Sequence, residues 1–263
     1  MMKASPFILV APSSRGLSLA ITRHFLRTTK LPVYATHRSD DPDAIRKRIL
    51  SSLPDTDPGR LHLLHLELTS ESSISSAADK LADTLPKDHT SYLHTAFLTG
   101  GILHPERQPA DLDAGHISQT FQINVVSHLL LIKHFSRFLP AAKTRLADDT
   151  PPAKWVHVTA RVGSVSDNRL GGWYSYRASK AALNQIIRTY DLYLQRKKTP
   201  AICVGVHPGT VKTDFSKEFW GGVPEGKLFE PAYAAERLVE VVGKLDEQSR
   251  GRIWDWAGKE VLP

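Results

Sequence analysis

One cysteine in 263 residues, Cys203, leaves nothing to pair with inside the chain. Intrachain disulfides are therefore excluded, and a reducing, cytoplasmic setting is expected. No apolar run approaches the roughly 20 residues that span a bilayer, so no membrane association is expected. Acidic residues are missing altogether from residues 1–39, which carry several Arg and Ser and so imitate a mitochondrial transit peptide. The same residues supply a first strand, loop and helix, and cleavage would remove part of the fold. Acids are also outnumbered overall, 27 Asp and Glu against 34 Lys and Arg, for a formal charge of +7. That balance would suit an anionic ligand. The basic residues are scattered, with no run longer than Arg196-Lys197-Lys198 and no interleaved aromatics, so nucleic acid is not an expected partner.

What is present is alternation. Strand-like apolar runs occur at 7–11, 32–36, 61–68, 92–98, 154–160, 201–207 and 251–257. Helix-period segments fill most of the gaps, at 17–29, 43–52, 73–85, 116–139, 174–198 and 231–246. Strands separated by helices pair in parallel through right-handed crossovers and are covered on both faces. The expectation is a three-layer α/β fold with a doubly wound parallel sheet of about seven strands. No repeat or linker divides it, so residues 1–263 are read as a single domain. Ligands of such sheets sit at the carboxyl ends of the strands, where the strand order reverses.

The first of those ends, "ILVAPSSRGLSLA" at 8–20, is short of glycine. A loop that grips a pyrophosphate in this position uses three, for the turn, for backbone approach to phosphate and for close helix packing. Only Gly16 is kept; Pro12 and Ser18 stand at the other two places. The loop still leads into a helix N-terminus, where free N–H groups and the helix dipole attract phosphate.

The segment "VTARVGSVSDNRLGGWYSYRASKAALNQ", 158–185, carries the chemistry. Tyr176 and Lys180 are four residues apart at the start of a helix, which stacks them on one face. That spacing alone is weak, and an aromatic anchor beside a solvated lysine would produce it too. At the carboxyl edge of the sheet, however, an ammonium can lower the pKa of a phenol, and such a pair can pass a proton to or from a carbonyl oxygen. "YRASKAALN", "FQINVVSHLLLIKHF" and "HPGTVKTDF" resemble, in order and essentially end to end, the short-chain dehydrogenase/reductase family, which has a Rossmann fold. The spacing of "GSVSDNRLGGWYSYR" is most similar to its sniffer-like or C-factor-like carbonyl reductase branch.

The resemblance implies Tyr176 as proton donor, with Lys180 lowering its pKa and holding the nicotinamide ribose, and Asn124 completing the set. It implies that Val211 and Thr213 contact the carboxamide and phosphates, and that a homo-oligomer is possible. Cofactor contacts are expected from Ser13, Ser14, Arg15 and Leu17 in the first loop. Arg38 with Arg15 suits the extra phosphate of NADP, because no acid stands at the turn after the second strand to accept ribose hydroxyls. Asp40 and Asp41 come late and are read as a cap for the helix from 43. Glu67-Leu68 occupies the family's adenine pair. Its Asn-Asn-Ala-Gly reads Leu98-Thr99-Gly100-Gly101, with Gly100 retained as a cofactor neighbour. The catalytic serine aligns with Ala160. Thr159 should face the other way along the strand, and Ser164 is the candidate substitute hydroxyl. Phe215, Phe219, Trp220 and Phe229 with Trp173 form an expected apolar cover over a small carbonyl or alcohol substrate. A non-catalytic dinucleotide-binding protein or redox sensor on the same fold is the alternative.

Overall fold

A computed structural model describes residues 4–87, 90–142, 144 and 150–263. The strands are β1 (Ala4–Ala11), β2 (Val33–His37), β3 (Leu61–His65), β4 (Thr90–Leu98), β5 (Ala153–Val158), β6 (Ala201–His207), β7 (Thr210–Val211), β8 (Leu228–Phe229), β9 (Ile253–Asp255) and β10 (Glu260–Val261). The helices are α1 (Gly16–Thr28), α2 (Pro42–Leu50), α3 (Glu71–Thr84), α4 (Ala114–Phe121), α5 (Ser127–Phe135), α6 (Tyr174–Arg196) and α7 (Pro231–Lys244).

The main sheet runs β3-β2-β1-β4-β5-β6-β9-β10, and every pairing is parallel except β9 with β10. This is the expected doubly wound sheet with one strand more. The expected last strand, 251–257, is shorter than its apolar run. Gly258, at φ +77°, turns the chain back so that β10 closes the edge in antiparallel fashion. A separate two-stranded sheet, β7 with β8, ties the segment after β6 to the start of α7.

Side chains alternate along the buried strands and build two cores. Leu9, Leu98, Trp155 and Cys203 pack under α3, α5 and α6, whereas Ile8, Val10, Phe97 and Val204 pack under α1, α2 and α7. Cys203 is fully buried among apolar neighbours. Capping residues place three helix starts: Asp41 Oδ1 accepts from the Ala44 N–H at 2.9 Å, as its position predicted, and Ser70 and Asp113 do the same for α3 and α4. The expected helix 116–139 is interrupted. A π-helical turn, Gln122–Val126, separates α4 from α5 and centres on Asn124.

The sheet order reverses between β1 and β4, which opens a crevice at the carboxyl ends of both strands. The loops after β1, β2, β4, β5 and β6 all end there.

Candidate active site

On the β1 side, the scarce glycine sits where backbone geometry requires it. Gly16 has φ +54°, and a Cβ there would stand 3.3 Å from Thr213 Cγ2. The loop after β1 and the segment after β6 therefore meet at Gly16 and Thr213. Leu17 packs in one small cluster with Val211, Phe229 and Ala234. No side chain caps α1 at Arg15, so its first N–H groups stay free for an anion.

The two substituted glycines are accommodated locally. Ser18 turns its hydroxyl back onto the Arg15 carbonyl at 2.7 Å. Pro12 accepts from Thr99 Oγ1 at 3.0 Å, which joins this loop to the end of β4. Ser13 is fully buried, and both its N–H and its hydroxyl donate to the Thr36 carbonyl, at 2.9 and 2.8 Å. Its hydroxyl thus anchors the loop to β2. Ser14 accepts at its carbonyl from Arg48 Nη1 at 3.3 Å. Arg38 lies 3.8 Å from Glu67, whose other carboxylate oxygen accepts from the Thr69 N–H and hydroxyl. Leu68 reaches Gly100, where a Cβ would stand 2.8 Å from Leu68 Cδ1.

On the β5 side, Tyr176 and Lys180 stand on the first turns of α6, both buried, with Lys180 Nζ 5.8 Å from the Tyr176 ring centre. Lys180 Nζ donates to the Val158 carbonyl at 3.1 Å. A Cβ on Gly101 would stand 3.4 Å from Lys180 Nζ and 3.6 Å from Asn124 Oδ1, so these three positions adjoin. Asn124 uses its amide fully: Nδ2 donates to the Ile102 carbonyl and to Ser179 Oγ, and Oδ1 accepts from the Ile102 N–H. It thereby links the π-turn, the segment after β4 and α6. Burial holds the Tyr176 phenol well above its ordinary value. Burial also brings Lys180 down to about 8.

The segment after β5 carries the residues aligned with the family's serine. Gly163 lies so close to α6 that a Cβ would stand 2.8 Å from the Lys180 backbone, which fixes the register of "TARVG". Thr159 donates to Asn184 Oδ1 at 2.8 Å and is not free. Ala160 follows in extended conformation. Ser164 Oγ accepts from the Asp167 N–H at 3.1 Å and meets Ser166 Oγ at 3.3 Å, so its hydroxyl is engaged within its own turn.

Three aromatic side chains close over Tyr176. Trp173 lies 6.2 Å from its ring, Phe215 lies 6.1 Å away, and Phe219 stands edge-on to Trp173 at 4.9 Å. Two of the expected cover residues do other work. Trp220 Nε1 donates to Ser216 Oγ, and Phe229 packs on Trp256 and Tyr233.

Sequence reasoning missed several contributors. Glu106 is buried and receives the Ser175 N–H on Oε2 at 2.7 Å, while its carbonyl receives the N–H of Trp173 at 2.6 Å. It therefore sets the start of the helix that carries Tyr176, in place of a local cap. Arg48 and the buried pair His128 and His157 were missed as well. None of them has a local motif; only the folded chain brings them to the crevice.

The sheet has the doubly wound topology of a Rossmann fold, and a buried tyrosine and lysine stand beside its crevice. The short chain dehydrogenase family model matches residues 6–222, and the chain belongs to that family. It is 29% identical over 245 residues, 93% of this chain and 94% of the other, to 1-hydroxy-2-glutathionyl-2-methyl-3-butene dehydrogenase of Rhodococcus sp.. It is 32% identical over 151 residues, 57% of this chain and 81% of the other, to the C-signal protein of Myxococcus xanthus. Among solved structures, the NADPH-bound carbonyl reductase from chicken fatty liver superposes with a TM-score of 0.83 at 26% identity, covering 99% of this chain and 100% of that one. The carbonyl reductase Sniffer of D. melanogaster superposes with a TM-score of 0.81 at 22% identity, covering 98% and 99%. The sniffer-like and C-factor-like proteins expected from the loop spacing are represented among these relatives by the Sniffer structure and the C-signal protein. No helix among the described residues is long and apolar enough to cross a membrane.

Proposed function

We propose that the chain, as one domain over residues 1–263, interconverts a carbonyl compound and an alcohol with NADP(H). The observation that carries this reading is the position of Tyr176: buried, against Trp173 and Phe215, and one helical turn from Lys180. The aromatic cover suits an apolar or aromatic carbonyl compound.

The reduced nicotinamide would supply the hydride that the carbonyl carbon receives. The chain supplies the proton. A phenol held above its ordinary pKa keeps its proton at neutral pH and can give it to the carbonyl oxygen, provided a cation stabilises the phenolate left behind. Lys180, with a pKa near 8, is mostly charged at neutral pH and is one turn away. Asn124 holds Ile102 and Ser179, which keeps the floor of the site in place. Ser164 is the remaining hydroxyl for the position of Ala160, and to serve there it would leave the Asp167 N–H.

Gly16, Leu17, Val211 and Thr213 fit a dinucleotide, because they already bring the two loops into contact without a side chain at residue 16. Ser14, Arg15, Arg38, Glu67, Leu68 and Gly100 would surround its adenosine half. Arg48 adds a guanidinium beside Ser14, so Arg15, Arg38 and Arg48 supply cations for a 2′-phosphate. The NADPH held by the chicken fatty liver reductase supports the same preference.

The test is NADPH oxidation across a panel of apolar and aromatic aldehydes and ketones. Tyr176→Phe should lower turnover by about 10²–10⁴-fold, the contribution of one positioned acid, while NADPH binding survives. Activity should also fall as pH rises through about 8, where Lys180 loses its proton. A Tyr176→Phe protein of unchanged rate would refute the assignment. The second reading, a dinucleotide-binding protein without catalysis, is favoured by Ala160 and by the engaged Ser164; NADPH binding without turnover on any carbonyl would establish it.

A further inference from the structure

Two buried histidines lie beneath the crevice and take no part in the chemistry above. His157 on β5 and His128 on α5 are fully buried, with Nδ1 facing Nδ1 at 2.8 Å. Trp155 Nε1 stands 3.0 Å from His157 Nε2, and His128 Nε2 stands 3.0 Å from the Gly100 carbonyl.

The chemistry of the two ends decides every proton between them. An indole N–H can only donate, so His157 Nε2 accepts and its Nδ1 carries the proton. His128 Nδ1 must then accept, which leaves the proton of His128 on Nε2, aimed at the Gly100 carbonyl. Both rings are neutral, as complete burial beside Lys180 also requires. The chain begins at a group that cannot accept a proton and ends at an amide oxygen. It therefore conducts no proton, and what it delivers is one fixed hydrogen bond.

That bond falls on the part of the crevice least able to hold its own shape. Gly100 and Gly101 have no side chains to restrain the peptide between them. The flanking residues are secured: the Thr99 N–H donates to the Ala11 carbonyl at 2.8 Å, and Asn124 holds both backbone groups of Ile102. In a trans peptide the C=O and the following N–H point in opposite directions. Holding the Gly100 oxygen on His128 turns the Gly101 N–H away from that ring, at a residue that adjoins Lys180 and Asn124.

We propose that His128 and His157 are positioning residues that orient the Gly100-Gly101 peptide, so that the Gly101 N–H is presented to the bound dinucleotide. The proposal rests on the dinucleotide-binding reading for its last clause only. His128 is the direct contact, and His157 fixes the tautomer of His128.

Nitrogen-15 NMR of the histidine-labelled full chain, without cofactor, tests the arrangement itself. At neutral pH His128 should be the Nε2–H tautomer and His157 the Nδ1–H tautomer; either ring in the opposite tautomer or cationic overturns the proposal. Two substitutions then separate positioning from bulk. Glutamine places an amide N–H where His128 Nε2 stands, whereas asparagine is too short to reach Gly100. His128→Asn should speed amide exchange at Gly101 and Ile102, and weaken NADPH binding, by about tenfold, the loss of one ordinary hydrogen bond. His128→Gln should restore both most of the way. Equal effects of the two variants, or none in either, overturn the proposal. If the unaltered chain binds neither NADPH nor NADH, the cofactor reading fails, while the tautomers and exchange rates still decide the positioning. Should His128→Asn fail to fold, the tautomers of the unaltered protein carry the decision.

Discussion

The loops after β1 and after β4 face each other across the crevice and depart from the family pattern in opposite senses. The first has side chains where glycines are expected, and it is satisfied by its own neighbours: Ser18 bonds to Arg15 three residues back, and Ser13 bonds across to β2. The second has a glycine, Gly100, where the family has alanine, and it is held from other elements, by Asn124 in the π-turn and by His128 with His157 behind it. An added side chain can find a partner within reach. A missing one leaves backbone groups that another element must hold, and that element must then be buried with it.

The largest consequence is a difference in acid sensitivity. His128 is lowered to about 3, and His157 well below 6.5, because both are buried beside Lys180 and each other. In the unfolded chain both protonate near 6.5, so below that pH the unfolded state binds more protons and the folded state loses stability as pH falls. Each ring should cost about 2 kcal/mol between pH 7 and pH 5. Urea unfolding at the two pH values measures this, and His128→Gln should remove one ring's share. An acid limb unchanged in that variant would mean that His128 is not a buried neutral ring.

Glycine replacements come next, and they should act differently in the two loops. Gly16→Ala places a Cβ on a residue at φ +54° and presses Thr213 Cγ2, so a cost of about 1–2 kcal/mol is expected, together with weaker NADPH binding. In Gly100→Ala the new Cβ clashes with the end of the flexible Leu68 side chain, at 2.8 Å, while His128 Nε2 at 3.7 Å and Pro12 Cδ at 3.9 Å are ordinary contacts. That clash should be relieved in the Gly100→Ala, Leu68→Ala double variant, with a coupling of about 0.5–3 kcal/mol between the two sites. Relief of Gly16→Ala by Thr213→Ser should be slight, since the left-handed backbone remains. If the two glycine variants respond alike to their partner substitutions, the contrast between a backbone constraint and a side-chain contact fails.

The division between what was legible and what was not follows the same line. The parallel sheet, five of the six expected helices and the cap at Asp41 are local or periodic patterns, and they appear within a few residues of expectation. Tyr176, Lys180, Asn124 and the Gly16 turn were legible because a short motif carries each. The additional edge strand β10 was not, since two residues after a glycine turn have no periodicity to read. The interruption at Asn124 was missed because apolar residues continue on both sides of it, which hides a π-turn of five residues inside one long run. Glu106, Arg48, His128 and His157 were invisible for a different reason: the first three act on backbone groups tens of residues away, and His157 acts through the ring of His128. A histidine in an apolar run reads as core packing, and only the fold shows that its partner is a carbonyl at the crevice.

The smallest effect sharpens the comparison most, because it asks whether Ser18 is a tolerated defect or a working substitute. Ser18 is 8% exposed at the point where α1 approaches the sheet, and its hydroxyl reaches the Arg15 carbonyl at 2.7 Å. If its side chain merely crowded the loop, Ser18→Gly would relieve the crowding and stabilise the protein. If the hydroxyl holds the loop, that variant loses a hydrogen bond of about 0.5–1.5 kcal/mol and a few tenths more from the helix propensity of glycine. Ser18→Ala loses the same bond but gains about 0.5 kcal/mol of propensity, so it should fall between the two. The expected order of stability in urea is Ser18, then alanine, then glycine, with NADPH affinity changed by less than about threefold because the free N–H groups of α1 lie outside that bond. Glycine standing first would show that the loop after β1 carries an uncompensated substitution, and the contrast with the loop after β4 would be lost.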